Sequence, residues 1–330
     1  MAPLLGLILS ITNTFLLTHA QSFTPVTTWG SISDFVEGKA LYIQGGVGTD
    51  YTTPQTYAID LSTAWNVSSP AYQMLPNGIN DYLFPAALLN DKSTWYMISN
   101  GTHYYYNLPT GQLTPLAPLA TSNAINGTNT GLKGVTDPRT GIVYVPNGYF
   151  SGPGGDYMLL KFSPGNMTST PGIMPTALFR ISLYAISWSD NLGTFLVYGG
   201  RTWDTQNVTN VLMLYNIADG SWTSVATTGQ APPGIIGACM VQAYGGTKMV
   251  LFGGDTSDHM AQQSIYILDV ATWVWTKGAD AGAANARGSA ACAVTKDMFV
   301  AQVCFVFLSG EKLYDAYSTS CILRALTHLH

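Results

Sequence analysis

The chain has 330 residues, a formal net charge of −5 at pH 7 and a charged fraction of only 9%. Nucleic-acid binding requires clusters of basic residues, so this composition argues against a nucleic-acid partner. The length allows two domains, but all-β folds of roughly 200 residues or more often form a single domain.

The first 20 residues predict a secretory signal peptide. The apolar run 4–17 is followed by Thr18-His19-Ala20, which places small residues one and three positions before the predicted cleavage. The run of about 14 residues is shorter than the roughly 20 that a transmembrane helix needs, so we expect no membrane span in this chain. We therefore predict a secreted protein, located outside the cell or in the cell wall.

Motifs for N-glycosylation agree with secretion. The sequence Asn-x-Ser/Thr marks acceptor sites in secreted proteins, and it occurs at Asn66, Asn100, Asn126, Asn166 and Asn207. About three such motifs would arise by chance in this composition. The motifs therefore add little to the evidence from the apolar run.

A strand that ends in two glycines recurs along the chain. The predicted strands Ala40–Gln44, 195–198 and Lys248–Phe252 are each followed by Gly-Gly, a polar stretch, a second strand and a Trp. The second strands are predicted at 56–61, 212–217 and 264–270, and the Trp residues are Trp65, Trp222 and Trp273. Degenerate versions, Asn100-Gly101 and Asn147-Gly148, complete a series whose second glycine falls at positions 46, 101, 148, 200 and 254. A spacing of about 50 residues predicts a repeat protein in which each repeat is one four-stranded unit.

A tight turn and a strand of small residues precede each glycine-terminated strand. The segments 137–141 and 190–193 contain Asp, Asn, Pro or Gly, which tolerate or preset turn dihedrals. Small residues occur before these turns, as in 185–187 and 237–241. They suit the innermost strand of each unit, where the units converge on a central channel.

The pattern of Gly-Gly, an aromatic residue in the next strand and a later Trp resembles the kelch repeat. The chain looks like a secreted kelch-repeat protein of the fungal type, within the superfamily that also contains galactose oxidase. The resemblance covers roughly residues 30–300, although repeats two and three lack both the Gly-Gly pair and the late Trp. It implies an all-β fold, a kelch-type β-propeller of about six four-stranded blades, five of them complete.

Three segments follow from this interpretation: the signal peptide 1–20, the kelch propeller 21–300 and an atypical C-terminal tail 301–330. The sixth repeat begins normally at 285–300, but Val303-Cys304 stands where Gly-Gly is expected. A ring without its last blade has an open sheet edge with unpaired backbone groups. We therefore expect the tail to be a truncated or misannotated sixth blade, or alternatively a divergent capping blade.

The four cysteines are Cys239, Cys292, Cys304 and Cys321, which allow three pairings. Cys239 and Cys292 occupy matching places in consecutive repeats. The sequence leaves two interpretations open for these two residues, a disulfide bond or two small buried side chains on inner strands.

Aspartates recur four residues after the second glycine of the full repeats. Each has an aromatic or imidazole neighbour, and the predicted ligand-binding residues are Asp50, Tyr51, Trp203, Asp204, Asp258 and His259. If the glycines end the second strand of each blade, all six residues lie in loops on one face, and loops often carry binding residues. The degenerate repeats add Tyr149, Phe150 and His103. The alternative is that each Asp closes its own loop as an Asx turn and that the aromatic side chains pack within the loops.

We predict an interaction protein whose loops bind a protein or glycan ligand. Exposed rings at Trp203 and Tyr51 would favour a sugar, whereas a wider polar rim would favour a protein. The competing hypothesis is an enzyme related to the galactose-oxidase-like copper radical oxidases, which share kelch repeats.

That enzyme family needs two His and several tyrosines at the propeller axis, with a Tyr-His pair in its motif. After residue 20 this chain has only His103, His259, His328 and His330, and it has no Tyr-His pair. The Glu-x-x-x-Asp-x-x-x-His motif of iron-dependent kelch proteins is also absent. We therefore expect no catalytic residues, no metal and no cofactor.

Overall fold

The computed structural model describes residues 23–65, 69–117, 127, 129–150, 156–282, 286, 288–295 and 298–302, and the backbone of 322–325. The predicted signal peptide 1–20 lies outside these residues, as do Cys304, Cys321 and most of the tail 301–330. The described part is all-β, with one short 3-10 turn at Thr176–Leu178.

Six sheets follow one another along the chain, and each forms one blade of a β-propeller. The first three blades have four antiparallel strands each: β1 (Ile32–Val36), β2 (Ala40–Gln44), β3 (Thr56–Asp60) and β4 (Tyr72–Leu75) in blade 1; β5 (Ala86–Leu88), β6 (Thr94–Ser99), β7 (Thr102–Asn107) and β8 (Leu113–Pro115) in blade 2; β9 (Val135–Thr136), β10 (Val143–Phe150), β11 (Tyr157–Ser163) and β12 (Thr168–Gly172) in blade 3.

The remaining strands form blades 4, 5 and 6. They are β13 (Ile181–Ser182), β14 (Ala185–Ser189), β15 (Thr194–Tyr198), β16 (Arg201–Thr202), β17 (Leu212–Tyr215), β18 (Trp222–Ser224), β19 (Thr228–Gly229), β20 (Cys239–Ala243), β21 (Lys248–Phe252), β22 (Ser264–Asp269), β23 (Val274–Asp280), β24 (Ala291–Thr295), β25 (Met298–Gln302) and β26 (Ile322–Ala325). Blade 4 contains β14, β15, β17 and β18, and β13 pairs with β16 in a separate ribbon. Blade 5 contains β20 to β23, and β19 joins its outer edge in parallel with β23. Blade 6 contains β24, β25 and β26.

The second strand of a complete blade is buried along almost its whole length. All five residues of β2 and of β15 are buried, whereas the outer strands β4 and β18 have none that is fully buried. A strand with partners on both sides and packed faces above and below is apolar throughout. This explains why the sequence shows these strands as continuous apolar runs.

The six blades form a closed ring. Their innermost strands contact one another in the order β1, β5, β9, β14, β20 and β24, and β24 contacts β1. At this seam Leu41 and Ile43 of blade 1 share a core cluster with Ala291 and Val300 of blade 6. The expected all-β fold, a kelch-type β-propeller with five complete blades, is confirmed.

The tail contributes backbone to blade 6. The strand β26 pairs antiparallel with β25, with Ile322 opposite Gln302. The rest of residues 303–330 lies outside the described residues. The interpretation of 301–330 as a truncated, misannotated or divergent blade therefore stays a prediction.

A series of five backbone hydrogen bonds joins the segments that lead into the blades. Six residues with positive φ, one before each inner strand, form this series, which we call the collar: Gly30, Leu83, Gly131, Leu183, Gly237 and Ser289. Each of the last five donates its N–H to the carbonyl oxygen of the preceding member, at 2.7 to 2.8 Å. Larger residues alternate with glycines, and the Leu183 side chain covers Gly131, where an added Cβ would lie 2.6 Å from its Cδ2.

The Gly-Gly pairs lie where the backbone passes close to the connection into the next blade. In blade 4, Gly199 and Gly200 have φ of +67° and +100°. A Cβ on Gly199 would lie 2.5 Å from the carbonyl oxygen of Ile235. Only glycine fits such a position without displacing neighbouring backbone.

The degenerate repeats lack Gly-Gly, and the chain leaves their second strands in two other ways. Asn147 of blade 3 is buried, and its side-chain amide donates to the carbonyl oxygens of Leu178 and Ile181 at 2.9 and 3.0 Å. In blade 2, Asn100 and Gly101 both have positive φ and form a two-residue hairpin turn, so no long loop separates β6 from β7.

A disulfide bond joins Cys239 and Cys292, with 6.1 Å between their Cα atoms. The two residues belong to the inner strands of blades 5 and 6, β20 and β24. The structure therefore decides between the two interpretations that the sequence left open. The bond holds two neighbouring blades together beside the central channel.

Candidate functional site

The propeller has two different faces. Because the strands of a blade alternate in direction, every connection from a second to a third strand leaves on the same side. We call this side the loop face; its long loops are 45–55, 199–211 and 253–263. The opposite side, the turn face, carries the tight turns between first and second strands.

All six predicted ligand-binding residues lie in the long loops of the loop face, but the ring separates them. Trp203 and Asp204 are in blade 4, and Asp258 and His259 are in the adjacent blade 5. The pair Asp50 and Tyr51 is in blade 1, which lies three blades from blade 4 around the ring. The structure therefore does not bring the six residues together in one pocket.

The loop of blade 1 holds Tyr51 at its tip. Val47 pairs with both Trp29 and Thr52, and the Gly48 N–H donates to the Tyr51 carbonyl oxygen at 2.9 Å. The Tyr51 ring is 67% exposed. In the described part of the chain, the side chains of Asp50 and Tyr51 make no hydrogen bond. The fold thus fixes the backbone of this loop and leaves its tip side chains unused.

The loop of blade 4 packs against blade 3. Trp203 is half-buried and lies edge-on to Tyr157, with 4.6 Å between ring centroids. The Arg180 guanidinium lies 5.8 Å from the centre of the Tyr157 ring and 3.6 Å from Asp204. Trp203 therefore takes part in packing between blades, which is the alternative role that the sequence allowed for these aromatic residues.

The loop of blade 5 closes on itself. The Thr256 hydroxyl donates to Asp258 Oδ1, and this bond holds the pKa of Asp258 below its usual range. The His259 N–H donates to the Thr256 carbonyl oxygen at 2.9 Å, and His259 adopts a φ of +60°. Asp258 thus has the turn-closing role that the sequence offered as an alternative to binding.

The additional residues from the degenerate repeats do not lie in exposed loops. His103 is buried in β7, bonded to the Tyr96 hydroxyl, and burial lowers the pKa of His103 to about 4. The expectation of a loop position was wrong here, because Asn100-Gly101 turns the chain within two residues. Tyr149 is buried in β10, and Phe150 contacts Tyr157 with 5.1 Å between ring centroids.

Sequence reasoning missed a large cavity along the propeller axis. It has a volume of about 1060 Å³ and is lined by residues from the inner strands of all six blades. Five charged side chains line it, and two of them lie away from its turn-face end: Asp34 of β1 and Lys133 just before β9. A charged residue within an otherwise small and apolar inner strand was the available signal for Asp34.

Both side chains are half-buried in the cavity wall. Asp34 Oδ2 accepts hydrogen bonds from the Leu88 N–H at 3.0 Å and the Trp95 Nε1–H at 2.8 Å. Burial raises the pKa of Asp34 to about 7, and these bonds offset the effect only in part. Lys133 Nζ donates to the Ala238 carbonyl oxygen at 3.3 Å, and burial lowers the pKa of Lys133 to about 8.

Two classes of feature are missing from the described part of the chain. No group of three or more His, Cys, Asp or Glu side chains is placed to hold a metal ion there. Those residues also include no helix long and apolar enough to cross a membrane.

A family model described as the KLHDC2/KLHL20/DRC7 Kelch-repeats domain matches residues 185–316. The matched span begins at the first residue of β14 and covers blades 4 and 5 and the two inner strands of blade 6. The fold of the chain is a kelch-type β-propeller. This architecture indicates a role in protein interaction, and kelch propellers are typically scaffolds without catalytic activity.

The kelch propeller is also similar to a curated protein of fission yeast. Tip elongation aberrant protein 1 of Schizosaccharomyces pombe (strain 972 / ATCC 24843) is 25% identical over 183 residues. These residues are 54% of this chain but only 15% of that relative. The similarity thus concerns a small part of a much longer protein.

Proposed function

We propose that this kelch propeller is an extracellular or cell-wall binding protein whose loop face binds a protein partner. The observation that carries the proposal is the exposed Tyr51 ring on a loop whose backbone is held by hydrogen bonds. Tyr is enriched at protein interfaces because it offers a large contact area and has little conformational entropy to lose. A fixed loop lowers the entropic cost further.

Three observations support the extracellular location. The Cys239–Cys292 disulfide suits an oxidising compartment. The glycosylation motifs within the described residues, at Asn100, Asn166 and Asn207, are exposed. The apolar run before Gln21 has the length of a signal peptide. N-terminal sequencing of exported protein should therefore start at Gln21, and a start at Met1 would argue against this location.

Photo-crosslinking tests the binding face. A photoreactive amino acid is placed at position 51 on the loop face or, as a control, at position 244 on the turn face. Tyr244 is a suitable match because its side chain is also exposed, at 49%. Incubation with extracellular fluid of the producing cells should yield a specific protein adduct from position 51 only.

Binding of the captured partner is then measured with purified variants. Tyr51→Ala should weaken binding about tenfold or more, as expected for an interface anchor, whereas Tyr244→Ala should leave the affinity unchanged. Equal effects of both substitutions would contradict the proposal. A different outcome would show that the partner is a glycan: no protein adduct forms, the parent protein binds a glycan array, and Tyr51→Ala loses that binding.

A further inference from the structure

The axial cavity has the composition of a small-molecule site. Apolar side chains from five of the six blades form most of its wall: Ile32, Leu132, Ile186, Met240, Val241 and Val294. Small-molecule pockets are mostly apolar cavities of about 300–1,000 Å³ with a few polar groups that set specificity. The cavity is at the upper end of this range and needs no contribution from the loop face.

The Lys133 ammonium is one of two lysine groups that line the cavity, and it is the one that lies next to the collar. Its hydrogen bond goes to a neutral carbonyl oxygen, that of Ala238. Among the described residues no carboxylate lies within ion-pair distance of Lys133. A half-buried ammonium group is stabilised by an opposite charge placed beside it.

Asp34 attracts Lys133 electrostatically, but the two side chains form no ion pair, and Asp34 loses its charge as the pH falls below 7. Of its two carboxyl oxygens, Oδ2 accepts both hydrogen bonds, and Oδ1 has no partner among the described residues. Below pH 7 this carboxyl group is mostly protonated, because burial raises the pKa of Asp34 to about 7. It is then neutral and can donate a hydrogen bond into the cavity.

We propose that the axial cavity binds a small organic carboxylate, whose anionic group pairs with Lys133 Nζ and whose carbon skeleton packs on the apolar wall. The neutral Asp34 carboxyl group donates a hydrogen bond to the same ligand. This site is independent of the loop-face partner. Either proposal can fail without the other.

The proposal predicts a pH dependence with a definite sign. Affinity is highest below pH 7 and falls as pH rises through 7 to 8, because Asp34 becomes negative and Lys133 loses its proton. The other charged groups and the tyrosine that line the cavity lie in turns at its turn-face end: Glu37, Lys92, Asp190 and Tyr244. They are separated along the axis from Lys133, which lies next to the collar.

Calorimetric titration of the full chain tests the site with benzoate, and with benzamide as an uncharged ligand of the same shape. We expect one saturable benzoate site at pH 6, at least tenfold weaker binding at pH 8.5, and at least tenfold weaker binding of benzamide at pH 6. The same titration with hexanoate and hexanamide separates the need for a carboxylate from a preference for an aromatic skeleton. These comparisons require no variant.

Substitutions then test which residues bind the carboxylate ligand. Lys133→Met should weaken benzoate binding at least tenfold, whereas the control Lys161→Met, outside the cavity, should not. Asp34→Asn should keep the hydrogen bonds from Leu88 and Trp95 and raise affinity at pH 8 toward the value at pH 6. No binding of either carboxylate at millimolar concentration, equal binding of acid and amide, or unchanged binding by folded Lys133→Met would each overturn the proposal.

Discussion

The two faces of the propeller join their blades by different means. On the turn face, side chains connect neighbouring blades: the Arg139 guanidinium donates to the Gly193 carbonyl oxygen at 2.7 Å, and Gln242 exchanges two hydrogen bonds with Asp190 at 2.9 Å each. On the loop face, the backbone makes most of this connection through the collar and through glycine N–H groups, such as Gly200 to the Ile235 carbonyl oxygen at 2.8 Å, and the Asn147 side chain also joins blades 3 and 4.

This difference explains why the outer loop residues can vary on the loop face, whereas the side chains that join the blades on the turn face cannot. Where the backbone joins the blades, the loop side chains above it are released from that task, as the exposed Asp50 and Tyr51 illustrate. Where side chains join the blades, their identity is constrained. A substitution in the outer part of a loop should therefore cost less stability than a substitution in the glycine pairs beneath it.

The strongest test of this comparison replaces glycines on both faces. Gly199→Ala on the loop face should cost about 2–5 kcal/mol of unfolding free energy, the sum of the left-handed φ and a clash with the Ile235 carbonyl oxygen. Gly245→Ala on the turn face should cost only about 1 kcal/mol, because its φ of +61° is similar but nothing lies within 4 Å of the added Cβ. Chemical denaturation measures both. Equal losses would show that the close approach at Gly199 is unimportant.

Removal of the disulfide tests the contribution of a covalent link between inner strands. The double substitution of Cys239 and Cys292 by Ala should lower the unfolding free energy by about 2–4 kcal/mol, since the bond closes a loop with a sequence separation of 53. The ring should still form, because the collar and the seam at blade 1 remain. Thermal unfolding monitored by circular dichroism decides this, and a double variant as stable as the parent would contradict it.

Substitutions of two aromatic residues on the loop face distinguish a packing role from a binding role. Trp203→Ala should cost about 1–2 kcal/mol of stability, because it removes a half-buried ring and its edge-on contact with Tyr157. Tyr51→Ala should change stability by less than about 0.5 kcal/mol, as exposed positions usually do. Urea denaturation of both variants checks this. The assignment of Trp203 to packing fails if its replacement leaves the midpoint unchanged.

Acid should weaken the contacts of the turn face more than those of the loop face. We expect this effect on stability to be smaller than the effects of the preceding substitutions. The hydrogen bond from Lys248, and then the Thr272 N–H, hold the pKa of Asp269 well below its usual range. A depressed carboxyl pKa contributes stability above the unfolded pKa of about 3.9, which is lost as pH falls toward the folded pKa.

The melting temperature should accordingly fall below pH 4. Asp269→Asn should reduce this acid sensitivity, and Asp258→Asn, whose carboxylate only closes its own loop, should reduce it less. Differential scanning fluorimetry between pH 2 and pH 6 provides the measurement. A larger effect from Asp258→Asn would reverse the assignment of the two carboxylates.

Local sequence patterns predicted the fold well, because each repeat specifies its own blade. The strands β2 and β21 have the predicted bounds, and the face on which the aspartates lie follows from strand alternation alone. The partners of these residues could not be predicted in the same way. Tyr157 and Arg180 reach Trp203 and Asp204 from other segments, and the turn at Asn100-Gly101 differs from a Gly-Gly pair only in its three-dimensional setting.

The axial cavity was unpredictable for the same reason. Asp34 and Lys133 are about 100 residues apart in the sequence, and only closure of the ring brings them to one axis. Lys133 does not interrupt the repeat pattern, and the charge of Asp34 within an inner strand does not identify its surroundings. Their protonation depends on solvent exclusion, which is a property of the assembled ring.

The alternation of residues in the collar favours an even number of blades. Glycines alternate with larger residues along the collar, and each larger side chain lies over the glycine before it, as Leu83 does over Gly30 and Leu183 over Gly131. The ring is thus a set of three two-blade units. Insertion or deletion of one blade would place two glycines or two larger residues side by side, whereas gain or loss of a pair would preserve the alternation. Changes in blade number by duplication of this chain should therefore occur in steps of two.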